Sequence, residues 1–248
     1  MTVLSSPWLV PLTPEHKGRY RLLCFPYAGG SPFVFRPWIA ALGTDFELWS
    51  ACLPGRANRF REPFAPTIEA VVEAVAREAL ARGPWTAFFG HSFGGSVAFE
   101  VTRALQKAQR QPGLLIISGS RPPHRSFSTD PIHALPEPSF RARLRSYGGT
   151  PPEVLANDEL MDLLGPVLRA DFELAHNYCF REGPLPTVPL VAWGGKADLG
   201  VPPAHIAEWS RYSEGPFESR IFEGGHFFLD TQRAELLADI RSRFPAGT

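Results

Sequence analysis

The chain's 248 residues carry twenty-five basic and twenty-five acidic side chains, a formal net charge of zero, with 44% hydrophobic and 12% aromatic content. That apolar content is too high for a disordered chain, glycine lacks the three-residue period of a collagen-like one, and the absence of a basic excess argues against a nucleic-acid binder. The length suits one large domain or, less often, two small ones, and a chain of this size can bury a substantial core without staples.

At the N-terminus, Met-Thr-Val-Leu-Ser-Ser-Pro has no basic leader and is broken by Pro7 and Pro11, so no signal peptide is expected. Apolar runs of strand length then alternate with helical patterns, the mark of an α/β domain with a mainly parallel sheet. Strands are predicted at Arg21 to Phe25, Phe46 to Cys52, Thr86 to Gly90, Gly113 to Ser118, Pro189 to Gly194 and Phe217 to Phe222. Several are apolar throughout, as strands covered on both faces should be. Ile68, Val71, Val72, Val75, Ala79 and Leu80 share one helical face, opened by Pro66-Thr67 and closed by Gly83. Val97, Val101, Leu105 and Ala108 repeat at the same spacing, as do Leu237, Ile240 and Phe244 near the end. The longest uncharged run, Gly83 to Phe99, contains Pro84 and His91 and does not read as a membrane span.

The stretch from about Arg121 to Pro186 departs from this rhythm. Prolines such as Pro131, Pro138, Pro151 and Pro166 punctuate short helical patterns at Phe140 to Tyr147, Asp158 to Leu164 and Val167 to Tyr178. It is too long for an ordinary crossover. The expectation is a core built from residues 1–120 and 187–248, with residues 121–186 forming an inserted helical lid over the carboxyl ends of the strands. Phe127, Phe140, Phe172, Tyr178 and Phe180 offer it an apolar lining.

Cys24, Cys52 and Cys179 are odd in number and stand in no metal-ligand spacing, so neither a disulfide framework nor a metal site is expected. Together with the missing leader this points to a cytoplasmic protein, and no cofactor is expected.

Gly90-His91-Ser92-Phe93-Gly94 matches G-x-S-x-G. It follows the apolar run Trp85 to Phe89 and precedes a helical pattern, the strand-to-helix setting in which a sharp turn exposes a nucleophilic serine. A serine hydroxyl is a weak nucleophile at neutral pH, so a base must take its proton and an acid must orient that base. After a later strand comes Asp198, and after the next comes His226 in Glu223-Gly224-Gly225-His226. That is the order of nucleophile, acid and base for this motif. Asp230 is the rival acid, better explained as a helix-terminal residue. His91 neighbours the nucleophile but points to the opposite face of an extended segment, a structural position. The tetrahedral oxyanion needs amide donors: the N–H of Phe93, and one from Pro26-Tyr27-Ala28-Gly29-Gly30, with Ala28 first and Tyr27 second.

From about Leu22 to Phe244 the chain resembles the type II thioesterases, editing hydrolases that accompany polyketide synthases and nonribosomal peptide synthetases. The resemblance rests on Phe25-Pro26-Tyr27-Ala28-Gly29-Gly30, on Leu53-Pro54-Gly55-Arg56 with Arg59 and Glu62-Pro63, on Gly90 to Gly95, on Leu168-Arg169-Ala170-Asp171, and on Gly224-Gly225-His226-Phe227-Phe228. It implies the α/β-hydrolase fold, a triad of Ser92, His226 and Asp198, and oxyanion donors at Ala28 and Phe93. It further implies substrates carried as acyl-phosphopantetheine on an acyl or peptidyl carrier protein, with neither nucleic acid nor membrane as partner. Carrier domains are typically acidic, so Arg56, Arg59, Arg61, Arg141, Arg143 and Arg145 are candidates for the entrance.

Three other readings share some of these features. A chain-terminating thioesterase domain should carry linker sequence, whereas this chain is expected to be free-standing from Met1 to just past its last helix. A general carboxylesterase should favour small oxygen esters. A non-catalytic binding protein would have no use for a complete Ser, His and Asp set.

Overall fold

All six expected strands pair into one sheet in the computed structural model, which describes residues 8–15, 17–125 and 131–245. In chain order the elements are β1 (Leu9–Pro11), β2 (Tyr20–Phe25), α1 (Ile39–Leu42), β3 (Phe46–Ala51), α2 (Ile68–Arg82), β4 (Ala87–His91), α3 (Phe93–Lys107) and β5 (Leu115–Ser118). Then come α4 (Glu137–Tyr147), α5 (Pro152–Leu155), α6 (Asp158–Asn177), β6 (Leu190–Gly195), α7 (Pro203–Ala207), β7 (Phe217–Phe222), α8 (Phe228–Thr231) and α9 (Arg233–Ser242). No helix among the described residues is long and apolar enough to cross a membrane.

The sheet order is β1-β3-β2-β4-β5-β6-β7, parallel throughout except for β1 against β3. In register, Cys24, Phe89, Ile116 and Val191 lie side by side, and the row beside them is Leu23, Phe88, Leu115 and Leu190. Successive strand residues point to opposite faces, so the first row meets Leu42, Leu236 and Ile240 from α1 and α9. The second meets Val71 and Val75 of α2 and Val97 and Val101 of α3. Coverage on both sides is why the central strands are apolar runs, while edge strand β7 exposes Glu218 and Ser219. α2 starts where expected because the Thr67 hydroxyl accepts the Ala70 N–H at 3.2 Å.

Two local features differ from the sequence reading. β1 was not foreseen. It is three residues long and ends in Pro11, which an outer strand tolerates because one of its edges needs no donor. The helices expected on either side of Pro166 are one continuous helix, α6, with that proline inside. An interior proline costs about 3 kcal/mol. Burying Met161, Val167, Leu168, Leu174 and Ala175 on one helix outweighs it, at roughly 1.5 to 3 kcal/mol for each large side chain.

Between β5 and β6, helices α4 to α6 gather a small cluster of their own around Phe140, Leu144, Leu155, Met161 and Leu168.

Candidate active site

Ser92 occupies the single residue between β4 and α3, at φ 55° and ψ −122°. A side chain in that region is strained, and the strain is sustained by the surrounding backbone. The Ser92 N–H donates to Ser118 O at 2.8 Å, and the Gly95 N–H donates back to Ser92 O at 2.9 Å. The flanking glycines permit the turn: a Cβ on Gly90 would lie 2.3 Å from Gly94 O, and one on Gly94 would lie 2.1 Å from Phe25 O. Any larger residue at Gly94 would force α3 away from the end of β2.

The sheet order brings the other groups to this point. β4 sits beside β2, where the direction of strand succession reverses, so the turn after β2 and the serine after β4 share one crevice. Asp198 follows β6, and His226 follows β7. His226 Nε2 lies 2.9 Å from Ser92 Oγ, and His226 Nδ1 lies 2.7 Å from Asp198 Oδ2. An ionised carboxylate only accepts, so Nδ1 carries the proton and Nε2 is left to accept from the serine hydroxyl. The other carboxylate oxygen, Asp198 Oδ1, accepts the N–H groups of Gly200 and Val201, both at 2.9 Å. Asp198 is therefore buried with both oxygens engaged. Asp230 lies on α8, paired with Arg233 at 3.0 Å, and makes no hydrogen bond to His226.

His91 points into the core, with Nδ1 2.9 Å from Ser118 Oγ. Burial, reinforced by the neighbouring His226 ring, pushes its pKa well below the ordinary value of 6.5. An unfolded chain takes up this proton first as pH falls, so the contribution to stability is present above about pH 6.5 and is lost below it. Stability to denaturant is accordingly expected to fall more steeply between pH 7.5 and 5.5 in the wild type than in His91→Asn. Equal slopes would show that the ring does not stay neutral.

The turn after β2 closes with Gly30 N–H donating to Tyr27 O at 2.8 Å, around Gly29 at φ 76°. Gly29 N–H donates to Asp171 Oδ2 at 2.7 Å. The Ala28 N–H has no protein acceptor among the described residues, and neither has that of Phe93, an orphan donor in the first turn of α3. These are the two amides expected for an oxyanion. Tyr27, the second choice, contributes an edge-on ring against Phe227 at 4.9 Å, and burial together with Asp230 raises its hydroxyl to about 12.

A cavity of about 330 Å³ opens at Ser92 and His226, bounded on its far side by Leu144, Tyr147, Leu164, Leu168 and Phe172 of α4 and α6. Of the four described aromatics expected to line it, Phe172 does so and the other three do not. Phe140 is buried in the small cluster, Tyr178 donates to Glu100 Oε1 at 2.6 Å, Phe180 packs on Tyr212, and Phe127 lies outside the described residues. Tyr147 and Phe227, with rings 5.9 and 5.2 Å from that of His226, are site neighbours that the sequence pattern does not single out. Adjacency to His226 was a signal for Phe227, whereas Tyr147 carried none.

Three of the six arginines expected at the entrance are engaged within the fold instead. Arg56 and Arg59 are buried and occupied, Arg56 in a fork with Asp171 and Arg59 with Glu62 and Cys52 O. Arg141 is paired with Glu137 and Asp158. Arg61 and Arg145 are the exposed ones.

Sheet order and site position make this an α/β-hydrolase fold with its polar groups gathered at the carboxyl ends of the strands. The family profile for the thioesterase domain matches residues 20–244, and the chain belongs to that family. It is 37% identical to thioesterase PikA5 of Streptomyces venezuelae over 247 residues, covering 97% of this chain and 86% of that one. With the gramicidin S biosynthesis protein GrsT of Aneurinibacillus migulanus it shares 35% identity over 242 residues, 96% of this chain and 94% of the other. The solved structure of the type II thioesterase BorB from the borrelidin biosynthetic cluster superposes with a TM-score of 0.87 at 32% identity, covering 95% of this chain and 96% of that chain. The sequence resemblance to type II thioesterases and the structural likeness therefore agree.

Proposed function

We propose that this thioester hydrolase is an editing enzyme that clears stalled or aberrant acyl groups from the phosphopantetheine arms of acyl or peptidyl carrier proteins. Ser92 is the nucleophile, His226 the base and Asp198 the orienting acid. The observation that carries the reading is the unbroken chain from Ser92 Oγ through His226 to Asp198, at 2.9 and 2.7 Å.

In this mechanism Ser92 Oγ attacks the thioester carbonyl carbon while its proton passes to His226 Nε2. The carbonyl oxygen becomes an oxyanion that accepts from the amides of Ala28 and Phe93. Collapse breaks the C–S bond, and the departing sulfur takes the proton from His226. A thiol has a pKa of about 8.5, so its thiolate leaves with little help, unlike an amine or alkoxide. Water then attacks the acyl-serine and gives a proton to His226. The C–O bond to Ser92 breaks, the serine is reprotonated, and the carboxylic acid leaves.

Residues 121–186 act as the lid over this site. The apolar walls from α4 and α6 would hold the acyl chain, and exposed Arg61 and Arg145 would attract an acidic carrier and the phosphate of its arm. The unpaired Cys24, Cys52 and Cys179 are in keeping with a cytoplasmic enzyme.

One comparison tests the substrate assignment. The same acyl group presented on a carrier protein, a short thiol and a phenol is expected to be hydrolysed with the highest kcat/KM from the carrier, and that advantage should shrink as salt screens the arginines. Equal turnover of the short thiol with no salt effect would make a general thioesterase the better description. Preference for the phenol ester would make it a carboxylesterase.

A further inference from the structure

Asp171 is a carboxylate on helix α6 that the chemistry above does not use. It is 1% exposed. Its Oδ1 accepts from Arg56 Nη2 at 2.7 Å, and its Oδ2 accepts from Arg56 Nη1 at 2.6 Å and from the backbone N–H of Gly29 at 2.7 Å. Arg56 Nη1 also donates to Gly30 O at 3.2 Å, and the same guanidinium reaches Pro54 O at 3.4 Å. One turn back along α6, on the same helical face, Leu168 seats against the turn: a Cβ on Gly29 would lie 2.3 Å from Leu168 Cδ2.

Helix α6 and the loop after β3 thus grip the turn after β2 from both sides. Gly29 N–H is held by Asp171, Gly30 C=O by Arg56, and Gly30 N–H by Tyr27 O, which leaves the Ala28 N–H uncommitted. Gly29, at φ 76°, is a residue with wide conformational freedom, so these bonds help to fix the turn. We infer that the Asp171–Arg56 pair is a positioning device for the oxyanion donor at Ala28, and that α6 must be seated on the core for that donor to be in place. A helix of the proposed lid then supplies part of the order that catalysis needs, and displacing it would slacken the turn. The inference rests on the assignment of Ser92 and Ala28 in the proposed function.

Asp171→Asn is nearly isosteric but cannot accept both forks of Arg56, and it leaves a buried guanidinium without its counter-charge. Misplacing one donor by about 1 Å is enough to cost about 10- to 100-fold in rate. The expected result is a fall of that size in kcat with KM within about threefold of wild type.

A pair that only fastened the helix would change stability without selecting for the transition state, so a second readout is needed. Ser92 Oγ adds to the carbonyl carbon of an alkyl trifluoromethyl ketone, its proton passes to His226 Nε2, and the former carbonyl oxygen becomes an oxyanion in the donor site. The matching trifluoromethyl alcohol fills the same cavity and has no carbonyl. In Asp171→Asn the ketone should weaken in step with kcat/KM while the alcohol binds as in wild type. Unchanged kcat, a rise in KM alone, or equal weakening of ketone and alcohol would each overturn the inference. Arg56→Lys retains the charge and loses the fork. It should show the same selective pattern in milder form, and it decides the matter if Asp171→Asn does not fold. Ser92→Ala is run alongside: an active Ser92→Ala would remove the triad itself, whereas an inactive one beside a wild-type-like Asp171→Asn would remove only the positioning role.

Discussion

Ser92→Ala is expected to lower kcat for thioester hydrolysis by at least about a thousandfold while the protein stays folded. The hydroxyl is the atom that His226 Nε2 faces at 2.9 Å, and among the described residues no other side-chain oxygen makes a hydrogen bond to that nitrogen. Removing it leaves the proposed oxyanion donors and the apolar cavity, so a small residual rate above that of water should persist. The fold should tolerate the change. Backbone bonds from Ser92 N to Ser118 O and from Gly95 N to Ser92 O define the turn, and alanine keeps both. The strain of φ 55° is borne by either residue. Thermal unfolding should move by only a few degrees, consistent with the loss of about 1 kcal/mol for one hydrogen bond. Retention of more than about a tenth of the wild-type rate on the best substrate would remove Ser92 from the role of nucleophile.

Asp198→Asn should be nearly as damaging, with a loss in kcat of about ten-thousandfold and little change in KM. Asparagine fits the space, and its carbonyl oxygen can still accept from Gly200 and Val201 as Asp198 Oδ1 does at 2.9 Å. Its amide, however, presents N–H groups where His226 Nδ1 needs an acceptor. The imidazole then holds its proton on Nε2, facing Ser92, and cannot act as base. Asp198 is buried away from the cavity lining, so substrate binding has no reason to change. Asp230→Asn removes only a partly exposed pair with Arg233, worth under about 1 kcal/mol, and activity should be nearly unaffected. The reverse pattern would transfer the role of acid to Asp230. Steady-state kinetics of both variants on one acyl substrate, with circular dichroism as a check on folding, settles the assignment.

What was legible in the chain itself follows from local physics. Strands buried on both faces must be apolar throughout, so the runs at 21–25, 86–90 and 113–118 announced themselves. A helix stripe must repeat every three to four residues, which exposed α2 and α3. A nucleophile turn must have glycine where backbone meets backbone, and Gly90 and Gly94 stand where a Cβ would come within 2.3 Å of another backbone oxygen. Ser92, Asp198 and His226 could be named because the fold's chain order assigns each to the end of a particular strand.

Other features were settled only by the tertiary structure. Pro166 reads as a break, and α6 runs through it because burial along the whole helix outweighs one missing bond. Arg56 and Arg59 read as free cations in a basic stretch, yet lie buried against Asp171 and Glu62. Asp171 is separated from Arg56 by 115 residues, so no local pattern could join them. Sequence periodicity reports which face of an element is covered, because that depends on near neighbours. Which charge meets which, and whether an arginine faces solvent or a carboxylate, depends on how distant elements are brought together, and only the folded chain decides it.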